Sequence, residues 1–317
     1  MLEVITAAIS TSFQDGGRMG YQCFGLPASG PMDWIAHLTA NLLVGNQSSS
    51  ACIELGLSAT RIKVHQSMLL AVTGSGYRVV VDDKRELPLW TACWVPAGSI
   101  LDFQKAQTGN WAYLAVNGGY DLDPHLRSCS TYLRAGLGQP IKQGDLIEIK
   151  SAETTNNLAG SHLAAELIPQ YKNDIEIRIT PTSHMHYVET AAQQAFWDSS
   201  YAISLNSDRM GYRLVGYPIE ILNSANLLSQ GMVLGAVQVP PDGQPIIMMA
   251  DHPTTGGYPQ IAVVERVDLP YLAQAQPGSG RVRFVEGDIN QSQKEFRQLI
   301  KALKSGIIKP DEDWMWL

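Results

Sequence analysis

Charge is what this sequence has least of. Asp, Glu, Lys and Arg make up 17% of its 317 residues, against about 25% in an ordinary soluble chain, and no run of five like charges occurs. Lys and Arg number 23 against 30 Asp and Glu, a formal net charge of −7. Phosphate contacts need a clustered basic surface, so nucleic acid is not an expected partner. Long apolar runs are missing too. Met68–Val72 and Ile246–Ala250 fall far short of the roughly 20 residues that cross a bilayer, and no membrane partner is expected. Met1-Leu2-Glu3-Val4 has neither the basic nor the apolar region of a signal peptide, which predicts a cytoplasmic protein. Cys23, Cys52, Cys93 and Cys129 form no C-x-x-C pair and no zinc spacing, and read as buried reduced thiols. Also absent are a P-loop, G-x-G-x-x-G, H-E-x-x-H, G-x-S-x-G and EF-hand patterns, and a Met-Lys-Met site for covalent biotin. Most single-chain enzyme classes therefore have no motif to rest on.

What is present reads as strands. Ile175, Ile177 and Ile179 alternate with Glu176 and Arg178, Val282 and Phe284 alternate with Arg281 and Arg283, and Leu146–Ile149 looks similar; this is the period-two pattern of half-buried strands. Val79-Val80-Val81 runs into Asp82-Asp83-Lys84 as into a hairpin turn. Pro245–Ala250 and Ile261–Val264 are continuous apolar runs suited to doubly buried strands. With 28 Gly and 17 Pro, turns are frequent and helices few. One helix is expected over Pro31–Val44, with Ser29 as cap and Gly45 as stop. Others are expected over Gln291–Lys304, capped by Asn290, and over Val188–Trp197.

Length predicts about two domains. Polar residues 151–173 read as a linker, and the expected division is 1–165, an N-terminal β-barrel subdomain with one helix, and 166–317, a C-terminal one with a C-terminal helix. Arg18-Met19-Gly20-Tyr21 recurs as Arg209-Met210-Gly211-Tyr212, which favours two related barrels over one continuous sheet. The fold class expected is mainly β.

Three glycine-dense segments are candidates for chemistry. Phe13–Asp33 gathers Asp15, Arg18 and a helix start, whose free N–H groups suit an anion; its structural alternative is a local Asp15–Arg18 pair. Leu205–Gly211 offers Arg209 as a bidentate clamp for a carboxylate, or as a structural partner of an aspartate. Gly235–Pro259 delivers Asp251 from an apolar strand into a loop with His252, Thr255, Gly256, Gly257 and Tyr258. There Asp251 is a candidate general base or an acceptor for substrate N–H groups, or part of a hydrogen-bonded turn. His184 and His186 would face one side of a strand, but no third metal ligand is identifiable nearby. His37 reads as a helix residue, not as a base.

Taken in order, Gln14-Asp15-Gly16-Gly17-Arg18, Ser29-Gly30-Pro31-Met32-Asp33, Ala40–Asn46, Ala112–Gly119, Ser128–Tyr132, Ser207–Gly211, Gln238–Pro245 and Asp251–Pro259 resemble the family of KipA and the 5-oxoprolinase C subunit, also called allophanate hydrolase subunit 2. The resemblance covers nearly the whole chain. It implies the A and B parts of a biotin-dependent carboxyltransferase domain, on two cyclophilin-like β-barrels with a few short helices. It further implies work beside KipI-like and LamB/YcsF-like subunits, hydrolysing 5-oxoproline to glutamate with ATP used by the complex. Two alternatives stay open: a regulator binding a KipI-like kinase inhibitor, for which Trp314-Met315-Trp316-Leu317 would suit a docking surface, and carboxyl transfer from biotin carried on another protein. Relatives usually read Gly-Pro-Gln where this chain reads Pro181-Thr182-Ser183-His184. From motif position and chemistry, Asp251, Arg209 and Tyr258 are the catalytic candidates. Asp15, Arg18, Asn117, Gln238, Thr255, Gly256 and Gly257 are the substrate-binding ones, for a small amide or lactam with a carboxylate.

Overall fold

The computed structural model describes residues 1–310 except 9, 57, 151–155 and 223–226. The tail Trp314–Leu317 and the first part of the expected linker lie outside the described residues. The chain divides into two units. One comprises Met1–Arg18, Asp33–Gln170 and the chain from Leu299 on; the other comprises Met19–Met32 and Tyr171–Gln298.

The first unit is built on two antiparallel sheets. The six-stranded sheet runs in the order Leu146–Ile147, Leu2–Thr6, Thr60–Val64, Ile100–Lys105, Tyr77–Val81, Arg85–Leu87. The seven-stranded sheet runs Ser12–Gln14, Cys52–Gly56, Trp111–Val116, Met68–Gly74, Thr91–Val95, His162–Leu163, Ile307–Ile308. One apolar cluster takes residues from both, Val4, Ile62, Val79 and Phe103 meeting Phe13, Leu55, Leu70 and Leu114. In the first sheet Thr60–Val64 and Ile100–Lys105 alternate in burial, whereas Met68–Gly74 and Trp111–Val116 of the second are buried throughout. Their second face lies under helix α1 (Trp34–Leu43). Polar bonds seal that layer: Tyr113 donates to Glu54 at 2.7 Å and accepts from the Asp33 N–H at 2.8 Å, and Thr73 donates to the Ala36 carbonyl.

α1 begins later than expected. Ser29 and Gly30 have positive φ, a left-handed stretch in which an N-cap residue does not sit. Asp33 caps instead, accepting from the Ala36 N–H at 3.0 Å, and Gly45 ends the helix with φ 77°. Asp82 and Asp83, both with positive φ, form the tight turn expected between Tyr77–Val81 and Arg85–Leu87. Of the linker expected over 151–173, His162–Leu163 instead joins the sheet and Ala165–Leu167 is a single turn.

The second unit is a closed barrel, in the order Asp174–Pro181, Gln260–Val264, Ala236–Gln238, Ile246–Met248, Gly211–Val215, Ser200–Ile203, Arg281–Glu286. Parallel pairing of Arg281–Glu286 with Asp174–Pro181 completes it. Helix α2 (Thr190–Asp198) sends Phe196 inward to stack on Phe284, ring centroids 4.7 Å apart, beside Tyr201. Helix α3 (Leu269–Gln274) accepts the Tyr212 hydroxyl at Ala273. Helix α4 (Ile289–Ser305) is capped by Asp288 rather than Asn290, with Asn290 and Gln291 N–H groups donating to its carboxylate. The mainly β expectation is met, with four α-helices among the described residues.

Two local expectations fail. His184 and His186 lie in the 3-10 turn Ser183–Tyr187, not in a strand. The thiols are all free, but Cys23 is exposed and only Cys52 is fully buried.

Phe284 is fully enclosed by aromatic neighbours, so Phe284→Ala should cost about 3–5 kcal/mol of folding stability. A urea titration followed by circular dichroism measures this; a loss below about 1 kcal/mol would show that the ring is not central to the barrel core.

Candidate functional site

In the second unit the turn before the strand Gly211–Val215 and the loop after Ile246–Met248 are laced together. The Arg209 carbonyl accepts from the Asp251 N–H at 2.7 Å, and the Met210 carbonyl accepts from the Met249 N–H at 3.1 Å. Asp208 folds its own turn, accepting from the Met210 and Gly211 N–H groups. Arg209 then meets Asp251 side by side, Nε to Oδ2 at 2.8 Å and Nη2 to Oδ1 at 3.0 Å. Nη2 also donates to the Gly30 carbonyl at 2.8 Å. The two side chains are 13% and 10% exposed, so the pair is nearly shielded from water but not sealed. The candidate clamp thus has its fork engaged by an aspartate of the same site.

His252, which sequence reasoning did not single out as a site residue, lies beside Asp251. Its Nδ1 meets the Pro253 carbonyl at 2.8 Å. A carbonyl only accepts, so Nδ1 carries the proton and Nε2 presents a lone pair. Burial lowers the basicity of the ring, against the opposing pull of the Pro253 carbonyl and Asp251. Adjacency to Asp251 was the only signal in the sequence.

The loop then turns outward. Thr255–Gly256 pairs with Gln230–Gly231 as a two-stranded ribbon. A Cβ at Gly256 would stand 2.1 Å from Met232 Cε and 2.7 Å from Gln238 Nε2, so a side chain there would have to displace the ends of both. Buried Gln238 donates to the Tyr258 carbonyl at 3.3 Å, while the Tyr258 side chain is 47% exposed and Thr255 and Gly257 are exposed. The structure therefore brings Arg209 together with Asp251, and Gln238 with Gly256 and Tyr258. A separate cavity of about 580 Å³, between α4 and the strand ends near Thr180 and Val263, is lined by none of the candidate residues.

In the first unit, Asp15 is held by donors: Ser128 and Ser130 hydroxyls at 2.7 Å each, the Cys129 N–H at 2.6 Å and the Gly17 N–H at 2.9 Å. Burial alone would raise its pKa, but these bonds to the charged form outweigh it, and the pKa lies below the ordinary 3.8. Arg18 is fully buried and donates to the His125 and Ser130 carbonyls. Asp15 and Arg18 thereby fasten the same loop, in which Leu126 and Arg127 adopt positive φ. Asn117 lies elsewhere in this unit and donates to the Val44 carbonyl at 2.7 Å.

Residues 24–286 match the family model of the carboxyltransferase domain, subdomain A and B, and the chain belongs to that family. Its particular likeness is to bacterial proteins: it is 36% identical to the C subunit of 5-oxoprolinase from Escherichia coli (strain K12), over 93% of this chain and 94% of that one. It is equally 36% identical to the C subunit of 5-oxoprolinase from Haemophilus influenzae, over 94% and 95%. Urea amidolyase of Saccharomyces cerevisiae is 30% identical over 96% of this chain but only 18% of that protein. Among solved structures, TTHA0988 superposes with a TM-score of 0.81 at 28% identity, covering 90% of this chain and 55% of that one. The K. lactis urea amidolyase gives 0.89 at 26%, covering 98% and 20%.

Two buried groups predict the acid behaviour of the first unit. His37 is enclosed, with Nε2 at 3.1 Å from the Gln14 carbonyl, and burial lowers its pKa from 6.5 to about 4. The unfolded chain takes this proton first, so stability should fall by about 3 kcal/mol as pH drops from 6.5 to 4. Asp15 has the opposite charge and a lower window: its contribution is complete above the ordinary carboxylate pKa and is lost as pH falls further. Urea titrations at a series of pH values test both. His37→Gln should flatten the upper slope and Asp15→Asn the lower one; unchanged slopes would contradict the assignment.

Proposed function

We propose that this chain is the C subunit of an ATP-dependent 5-oxoprolinase complex, acting with KipI-like and LamB/YcsF-like subunits in the cytoplasm to hydrolyse 5-oxoproline to glutamate. The observation that carries this reading is the 36% identity, over almost the full length of both partners of the comparison, to two proteins named as that component of 5-oxoprolinase. The chemistry around Asp251 supports it. A carboxylate has about four lone-pair sites, and Arg209 engages one on each Asp251 oxygen. The remaining acceptor capacity suits a lactam N–H. Arg209 offers the charge complementary to a substrate carboxylate, His252 Nε2 accepts a proton, and the exposed Tyr258 hydroxyl lies on the same loop. In this reading Gln238, Thr255, Gly256 and Gly257 shape the loop at the substrate, and Asp15, Arg18 and Asn117 act by holding their own loops in place.

Neither of the two candidate arginines gives ATP an open cradle, and no residue is assigned to biotin. A polyphosphate needs open cationic or N–H donors, whereas Arg18 is fully buried on carbonyls and the Arg209 fork is on Asp251. No step of the chemistry is therefore routed through either group in this chain, and ATP use is assigned to the complex.

The decisive assay is glutamate release from 5-oxoproline with ATP, using this chain with its KipI-like and LamB/YcsF-like neighbours and omitting each protein in turn. Activity only with all three present is expected; activity undiminished without this chain would make it a regulator. Asp251→Asn keeps an oxygen for Arg209 but removes the charge, and kcat should fall at least about a hundredfold with the fold intact by circular dichroism. Retained activity would remove Asp251 from the chemistry. The likeness to urea amidolyase favours one second reading, carboxyl transfer from biotin on another protein. Inhibition by avidin would support that, and indifference to avidin would exclude it.

A further inference from the structure

His184 is fixed by atoms that can act in one sense only. The turn Ser183–Tyr187 follows the barrel strand Asp174–Pro181, and Thr182 Oγ1 accepts from the His184 N–H while donating to the Gln260 carbonyl. The His184 ring is thereby set against Gln260, whose backbone N–H points to Nδ1 at 3.1 Å. Gln230 Nε2 stands 3.3 Å from the same nitrogen. A backbone N–H donates and never accepts, so Nδ1 holds a lone pair and the proton of the neutral ring is on Nε2. The Tyr187 ring, edge-on at 5.5 Å, packs against this imidazole.

Nε2 has no protein acceptor among the described residues, and it is not among the atoms sealed from solvent. The ring is half-buried. Its surroundings are the candidate loop: Gln230 pairs with Gly256 in the ribbon, and the Gln260 side chain donates to the Gly231 carbonyl at 3.1 Å. One connected set of hydrogen bonds therefore runs from His184 to the Thr255–Gly256 backbone.

We infer that His184 is a substrate-contact residue: its Nε2–H donates a hydrogen bond to an oxygen acceptor, carbonyl or carboxylate, of the small amide or lactam bound beside the Thr255–Tyr258 loop. The choice of ligand class rests on the function proposed above; the direction of the hydrogen bond does not. A neutral donor of this kind recognises a lactam carbonyl without bringing a positive charge to the loop. It complements His252, whose Nε2 offers a lone pair from the other end of the same loop.

Two substitutions separate holding the loop from binding the ligand. His184→Asn places an oxygen near the Nδ1 position, keeping an acceptor for the Gln260 N–H, but leaves nothing at Nε2. His184→Gln extends an amide N–H to the Nε2 position. In the reconstituted complex with 5-oxoproline, His184→Asn should raise KM about tenfold or more, and His184→Gln should recover most of the loss. An unchanged KM in His184→Asn overturns the inference. Independently, 15N spectra of the histidine-labelled chain, assigned by comparison with His184→Asn, should show the proton on Nε2; a proton on Nδ1 overturns it. Should the wild-type complex leave 5-oxoproline intact, the functional reading falls by itself. Titration of the labelled chain with 2-pyrrolidinone then decides the contact: a shift at His184 Nε2 upholds it, and no shift overturns it.

Discussion

Arg209 and Asp251 grip each other through two parallel N–H···O bonds, and that grip fastens the turn 207–211 to the loop that begins at Asp251. Removing two charges from water is costly, and a nearly buried pair recovers the cost only with good geometry and further hydrogen bonds. Both conditions hold: the contact is bidentate, the backbones are bonded to each other, and Gly30 supplies a third acceptor. Three stretches of chain meet at one guanidinium as a result. The turn 207–211 and the loop from Asp251 onward are brought together, and the segment 19–32 is tied to the unit in which it is counted. A ligand that competed for the fork would have to repay the Asp251 contact.

In the first unit the same residue types, Asp15 and Arg18, are held by a loop. Asp15 draws its donors from hydroxyls and backbone N–H groups, and Arg18 donates through Nε and Nη2 to the His125 and Ser130 carbonyls. Charge is solvated there by the main chain of a loop that includes two non-glycine residues in left-handed conformation. Such backbone costs of order 1–3 kcal/mol per residue and persists only when its surroundings over-determine it. Fully buried Arg18 is one of the groups that does so.

The repeated Arg-Met-Gly-Tyr shows what a sequence string conveys and what it does not. In its second occurrence Gly211 and Tyr212 begin a barrel strand; in its first, Gly20 and Tyr21 lead into the short turn Gln22–Phe24. Local pattern could not separate these, because the difference lies in the partners each arginine finds. Alternating isoleucines and the Val-Val-Val-Asp-Asp run were legible, since side-chain period and turn chemistry are properties of a few adjacent residues. The caps at Asp33 and Asp288 were missed by one residue type competing with another close by. The Arg209–Asp251 pairing was legible only as two separate candidates, since 42 positions of chain separate them.

Least legible were the two histidines, because nothing in a sequence states which ring nitrogen carries a proton. Their tautomers are imposed by main-chain groups: a carbonyl at Pro253 for one and an N–H at Gln260 for the other. The loop between Asp251 and Gln260 thereby bears an acceptor nitrogen near its start and is bonded to a donor-bearing ring near its end. A cyclic amide presents the matching pair, an N–H to give and a carbonyl to receive, whereas a simple carboxylate presents acceptors alone. On the function proposed above, this order of backbone groups matches an amide-like ligand, and it does so without any charge beyond the Arg209–Asp251 pair.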